Sequence, residues 1–293
     1  MKVSQYILEN RKRLAEAPIE CADPLEHMKQ IVQFVLDWDS AQVYLKWDDH
    51  FPPGDAVVRL DEVVSRRLRG EPFQYITGFQ WFWKSKFEVG KGVLIPRRET
   101  ELLVETFLAE EKRDNVNIAE LGAGSGNIGL AICLERPHVQ WHAFESNPDS
   151  LTYLEANLRT LIPGTSATTP YWVHYDDFFS RVGEYAPFHW VIANPPYVVG
   201  SEISNLSLEV QSEPIAALDG GGNEGLEIFT RLVATSWDIL LPGGKVLCEI
   251  GSAQADAALA LTAQAGFSEI KLLADLAGLP RAIFAVKPQP KEE

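Results

Sequence analysis

From residue 116 to 286, short apolar runs alternate with stretches of helical period, and few architectures accept that order. Strand-like runs are read at 116–121, 139–145, 171–175, 190–193, 245–250, 269–273 and 282–286. Helices are read at 127–135, 148–159, 225–240 and 253–265. Alternation of this kind predicts a mainly parallel sheet with helices on both faces. The last two strands are joined by 274–281, which is too short for a crossover helix. They are therefore expected as antiparallel neighbours.

The first strand ends in Glu120-Leu121-Gly122-Ala123-Gly124-Ser125-Gly126-Asn127, and a helix follows. Glycines there let the backbone turn tightly and approach a ligand. Glu145 closes the next strand, 19 residues beyond Gly126. A carboxylate at that place can accept hydrogen bonds from both hydroxyls of a ribose. The spacing G-x-G-x-G, rather than G-x-G-x-x-G, favours S-adenosylmethionine over a dinucleotide, because no pyrophosphate has to be cradled. Glu120 is expected to attract the cationic end of that cofactor. Asp176-Asp177-Phe178-Phe179 follows the third strand. An acid there, Asp177, can accept from an adenine amino group, and an aromatic, Phe178, can cover the ring.

Asn194-Pro195-Pro196-Tyr197 ends the fourth strand, at the carboxyl edge where this architecture binds ligands. An amide or aromatic amine nitrogen is a poor nucleophile because its lone pair is delocalised. A site that accepts hydrogen bonds from both of its N–H groups can hold it in line for methyl transfer. The side-chain oxygen of Asn194 is one acceptor and the carbonyl of Pro195 a second. Two prolines stiffen the backbone and remove competing donors. Tyr197 adds an aromatic wall with a polar tip. The four residues point to methylation of an NH2 group, and alone they do not separate glutamine from adenine or cytosine.

Ahead of this region, 1–75 reads as a small helical domain. Apolar residues recur at helical spacing, Asp23-Pro24 and Asp55 are placed as helix starts, and Gly70 ends a helix. The stretch 72–96 is rich in β-prone residues, Phe73, Tyr75 and Ile76 among them, with Gly90-Lys91-Gly92 read as a hairpin turn. The domain plan is thus 1–75 helical, 76–96 a β-hairpin linker, and 97–293 the α/β domain. The net charge of −15 and the lack of a long basic stripe argue against a nucleic-acid partner. The three cysteines are too scattered for a disulfide framework or a zinc site, and no metal site is expected. No run reaches the length of a signal peptide or membrane span, so the expected compartment is the cytoplasm.

Together these motifs resemble the HemK/PrmC family of protein-glutamine methyltransferases. Arg69-Gly70-Glu71-Pro72-Phe73-Gln74-Tyr75-Ile76-Thr77-Gly78 resembles the segment after that family's helical domain. Val93-Leu94-Ile95-Pro96-Arg97-Arg98-Glu99-Thr100-Glu101 resembles its second signature, with Arg98 where the family usually has proline. Glu213-Pro214, Ala217-Leu218, Gly221-Gly222, Gly225-Leu226 and Asp275-Leu276, Gly278, Arg281 follow in order. The resemblance implies a small N-terminal helical domain and a seven-stranded class I, Rossmann-like methyltransferase sheet; the helical periodicity of 1–75 and its lack of chemical motifs point to a substrate-docking role for that domain. It implies S-adenosylmethionine as cofactor, contacted by Gly122 to Gly126, Glu145, Phe178 and Asn194. It also implies that Asn194 to Tyr197 hold the glutamine of the Gly-Gly-Gln loop of class-I peptide chain release factors.

Two other substrates share the motif: a glutamine of a ribosomal protein, and N6 of adenine in a nucleic acid. The second would need a Lys/Arg-rich recognition surface or a long insertion, and neither is evident. A non-catalytic relative would usually have lost the glycines or Asn194, and both are present.

Overall fold

A computed structural model of the protein describes residues 1–164, 170–175 and 177–290, with the side chain of Phe178 outside the description. The chain forms two compact units. One comprises residues 1–78 and 205–212, the other 79–204 and 213–293.

The first unit is helical: α1 (Val3–Glu16), α2 (Pro24–Leu36), α3 (Ser40–Leu45), α4 (Ala56–Leu68) and α5 (Phe73–Thr77). Asp23 caps α2, its carboxylate accepting from the N–H groups of Leu25 and Glu26. Asp55 does not cap α4; it pairs with Arg59 one turn on, at 3.3 Å. Tyr6, Ile7, Leu14, Ile31, Val32, Leu60 and Val64 form the core. Residues 73–77, read from composition as β-prone, are helical instead. Pro72 starts the turn, and Gly78 ends it in the left-handed region at φ 80°. Phe73 packs edge-on against His27 and Phe34, so burial outweighs its strand propensity.

The distant segment 205–212 belongs to this unit. Its short helix α10 (Leu208–Gln211) packs Leu208 against Gly70, where an added Cβ would stand 2.5 Å from Leu208 Cβ. Arg67, 2% exposed, donates to Glu209 Oε1 at 3.0 Å. Arg67 also donates to His27 Nε2 at 3.0 Å, and burial followed by the Arg67 charge pushes the imidazole down to about 4.

In the second unit, β1 (Phe79–Phe82) and β2 (Ser85–Glu88) form an antiparallel hairpin. Its turn is at Trp83-Lys84, not at Gly90-Lys91-Gly92 as the sequence suggested. Those glycines serve close approach. A Cβ on Gly90 would stand 2.2 Å from the Tyr153 hydroxyl, and one on Gly92 2.5 Å from Asp149 Cβ.

After α6 (Glu101–Glu110) the sheet begins: β3 (Asn117–Leu121), α7 (Asn127–Glu135), β4 (Gln140–Glu145), α8 (Pro148–Leu161), β5 (Tyr171–Tyr175), α9 (Phe178–Arg181), β6 (Phe188–Ala193), α11 (Glu227–Ile239), β7 (Leu240–Glu249), α12 (Ala255–Gln264), β8 (Ser268–Ala274) and β9 (Pro280–Val286). The seven strands lie in the order β5-β4-β3-β6-β7-β9-β8. All neighbours are parallel as far as β7, and β9 is antiparallel to both β7 and β8. Successive residues alternate between two apolar layers. Ile118, Trp190 and Ile192 join the layer containing Phe107 and Trp141, while Ala119, Val191 and Ala193 join the one containing Phe144 and Phe229. The order reverses between β3 and β6, so a crevice opens at the carboxyl ends of those strands. No helix among the described residues is long and apolar enough to cross a membrane.

Candidate active site

A cavity of about 400 Å³ occupies that crevice, within the ordinary range for small-molecule sites. Its walls bring together the glycine loop, Glu145 and the start of the 194–197 motif.

The loop turns on Gly122, Gly124 and Gly126, with φ of 74°, 57° and 77°. These are left-handed conformations that side chains disfavour. Nothing lies within 4 Å of where a Cβ on Gly124 would sit, so the backbone there faces open space. The carboxylate of Glu145 is the loop's anchor. Its Oε2 accepts from Gly124 N and its Oε1 from Asn147 N, each at 2.7 Å. Burial raises its pKa, and the backbone donors of Asn147, Gly124 and Ser146 oppose the rise. Asn157 holds the loop from behind, donating to the carbonyls of Ser125 and Glu88, both at 3.0 Å.

Gly122, Ala123, Gly124, Ser125, Glu145, Asp177, Asn194, Pro195 and Pro196 line the cavity. Glu120, Gly126 and Tyr197 are not among the lining residues. Glu120 is 1% exposed and accepts from Trp141 Nε1 at 2.8 Å and Gly129 N at 3.0 Å. Its carboxylate therefore ties the loop's helix to β4 in the interior, rather than standing on the wall beside the cofactor's cationic end. Gly129 makes the approach possible, since a Cβ there would meet Trp141 at 2.1 Å. Gly126 caps α7 in the left-handed region and packs near Leu130 and Leu154. Asp176 and the side chain of Phe178 lie outside the described residues. Phe179 lines the cavity, and the Arg231 guanidinium lies 4.0 Å from its ring centre.

Local sequence reasoning missed the wall formed by 94–100. Leu94, Pro96, Arg97 and Thr100 all line the cavity. Arg98 opens a 3-10 turn, Arg98–Thr100, at a first-turn position where proline also fits. The segment is fastened by Glu213, whose carboxylate accepts from Ile95 N at 3.1 Å and Arg97 Nη2 at 2.5 Å. Burial raises the pKa of Glu213, and the Arg97 charge opposes it.

The 194–197 motif rests on glycines as well. Val198 N donates to Leu218 O at 2.8 Å and Gly220 N to Val198 O at 2.9 Å. A Cβ on Gly220 would stand 2.8 Å from Tyr197 Cα, and one on Gly225 2.3 Å from Tyr197 O. Gln254 Nε2 clasps Tyr197 O at 2.9 Å and Glu224 O at 2.8 Å. Gly220 and Gly225 therefore let this loop lie flush against the motif.

The donor set fits S-adenosylmethionine. One buried carboxylate at a strand end can take hydroxyls, Asp177 can take an amino group, and a glycine backbone can lie close to the ligand. The arginines that line the cavity have partners, Arg97 in Glu213 and Arg231 in the Phe179 ring. Among the described residues no cluster of His, Cys, Asp or Glu could hold a metal ion.

Fold and site define an S-adenosylmethionine-dependent methyltransferase. Residues 5–78 match the family model of the PrmC N-terminal domain, and residues 98–225 that of the methyltransferase small domain. The release factor glutamine methyltransferase of Koribacter versatilis is 33% identical over 92% of this chain and 95% of its own. The enzyme of the same name from Thermodesulfovibrio yellowstonii is 32% identical over 90% and 92%. That from Moorella thermoacetica is 31% identical over 98% and 99%. The chain belongs to the release factor glutamine methyltransferase family.

Proposed function

We propose that this protein methylates the side-chain amide nitrogen of the glutamine in the Gly-Gly-Gln motif of class-I peptide chain release factors. One observation carries the reading: Asn194, Pro195 and Pro196 share a cavity with the glycine loop and Glu145. The bound cofactor supplies a methyl group on a cationic sulfur. The chain supplies orientation. Asn194 Oδ1 and the Pro195 carbonyl accept the two amide hydrogens and hold the nitrogen toward the cofactor side of the cavity. The two prolines leave those acceptors without competing backbone donors. No general base is required before transfer, because the proton can leave from the methylated, cationic nitrogen.

The helical unit is the docking domain in this reading. Tyr44 and Leu45 of α3 are 61% and 83% exposed, an apolar pair that a protein partner can cover. Release factors act in the cytoplasm, which is the compartment this reading assigns. The relatives' shared name favours a release factor over a ribosomal protein or adenine as substrate. The test is methyl transfer from labelled cofactor to a panel: an intact release factor, a Gly-Gly-Gln peptide, a ribosomal protein fraction and DNA. Preferential labelling of the release factor supports the assignment, and labelling of DNA alone refutes it. Leu45→Asp should raise KM for the intact factor but not for the peptide; equal effects on both remove the docking role.

A further inference from the structure

Glu249 ends β7 at 1% exposure and has no part in the reaction as described above. Its two carboxylate oxygens reach both ends of the 194–197 motif. Thr100 Oγ1 donates to Glu249 Oε2 at 2.6 Å. Asn194 Nδ2 donates to Thr100 Oγ1 at 3.2 Å. Tyr197 donates its hydroxyl to Glu249 Oε1 at 3.4 Å.

The polarity of this chain follows from counting hydrogens. A threonine hydroxyl has one, and at 2.6 Å it is committed to the carboxylate. Toward Asn194, Thr100 can then only accept. Asn194 must turn its NH2 to Thr100, and the planar carboxamide then turns its oxygen away from it. Thr100 and Asn194 both line the cavity, so the oxygen is the end left for a ligand.

We propose that Glu249 and Thr100 are positioning residues that fix the Asn194 carboxamide with Oδ1 presented to the substrate, and so select a group that donates hydrogens over one that only accepts. The inference rests on the glutamine-amide reading. Without the relay the carboxamide can flip. Its NH2 would then face the substrate and attract a carbonyl or carboxylate oxygen, which presents the wrong atom for methylation.

The surroundings of Glu249 make the relay sensitive to protonation. Burial pushes its pKa up to about 7, opposed by the Thr100 bond, the charge of Arg281 on β9 and the Tyr197 bond, while Glu99 in the 98–100 turn pushes it further up. Arg281 is itself held by Asp275, at 3.1 Å and 3.2 Å. A protonated Glu249 would donate to Thr100. The threonine hydrogen would then be free to turn to Asn194 and invert the relay.

The test uses the full chain with an intact release factor. Thr100→Val keeps the shape and removes the hydroxyl, while Thr100→Ser restores it. The valine variant should lose at least about tenfold in kcat with the cofactor Kd unchanged, and the serine variant should recover most of that loss. The wild type, which needs no variant to fold, should lose kcat below about pH 7 while its cofactor Kd stays level. Full kcat in Thr100→Val, an equal loss in Thr100→Ser, or a wild-type kcat that is level through that pH overturns the relay alone. A wild type that leaves the glutamine unmethylated overturns the functional reading and the relay with it.

Discussion

Gly124 donates its backbone N–H to the Glu145 carboxylate at 2.7 Å, so the acid at the end of β4 also sets the shape of the glycine loop. Replacing Glu145 by alanine therefore removes a loop anchor and, on the proposed reading, a ligand acceptor as well. Cofactor affinity should fall by about 1–3 kcal/mol, the scale of lost hydrogen bonds to a charged group. Isothermal calorimetry with S-adenosylmethionine measures it, and an unchanged Kd would remove Glu145 from the cofactor site.

Asn194→Ala should act on turnover rather than on cofactor binding. On the proposed reading it deletes one of two acceptors and leaves the substrate amide free to rotate. The cost should be about 3 kcal/mol in kcat, the order found for a lost preorganised contact in an oxyanion hole. Steady-state kinetics at saturating cofactor give the split. A variant with a raised KM and an intact kcat would place Asn194 in uniform binding instead.

The helical unit contains a stability test of its own. Arg67 and Glu209 are paired with side-chain exposures of 3% and 14%. Removing only the arginine leaves a largely buried carboxylate without its partner. Arg67→Ala should cost about 3–5 kcal/mol in urea unfolding, whereas replacing both residues by apolar ones of similar size should restore much of it. Equal losses in the single and double variants would show that packing, not charge, is at stake.

Much of the architecture was legible in the sequence because parallel strands buried on both faces read as apolar runs. Ile118-Ala119 and Trp190 to Ala193 are of this kind. The spacing from Gly126 to Glu145 reports a strand–loop–helix–strand unit, which is local and so visible. The partners that fasten the site are not local. Thr100 and Glu249 are 149 residues apart, and Ile95 and Glu213 are 118 apart. No periodicity registers such pairs. The glycines at 90 and 92 misled for a related reason. Their need is close approach to α8, a tertiary demand that in sequence looks like a turn. Glu120 looked like a ligand group because loop-flanking acids often are, and only its contacts with Trp141 and Gly129 show where the carboxylate faces.

Glu120 also contributes to how stability depends on pH. Burial pushes its pKa from the usual 4.5 up to about 8, against the bonds from Trp141 and Gly129. The folded state thus holds this proton more tightly than the unfolded chain. The stability it contributes is fully present below about 4.5 and is lost as pH rises through about 8. Across that window the group should lower the unfolding free energy by up to about 1.4 kcal/mol per pH unit. Glu120→Gln cannot titrate and should flatten the slope in denaturant titrations; an unaltered slope would assign the pH dependence elsewhere.

The central claim is methylation of an amide nitrogen by a site built from two acceptors. Tandem mass spectrometry of a release factor incubated with the protein and S-adenosylmethionine tests it most directly. The methyl group should map to the side-chain nitrogen of the Gly-Gly-Gln glutamine. A substrate carrying glutamate at that position should stay unmodified, since an ionised carboxylate has no hydrogens to give and would face the oxygens of Asn194 and Pro195. Methylation elsewhere in the factor, or efficient ester formation on the glutamate variant, would contradict the account.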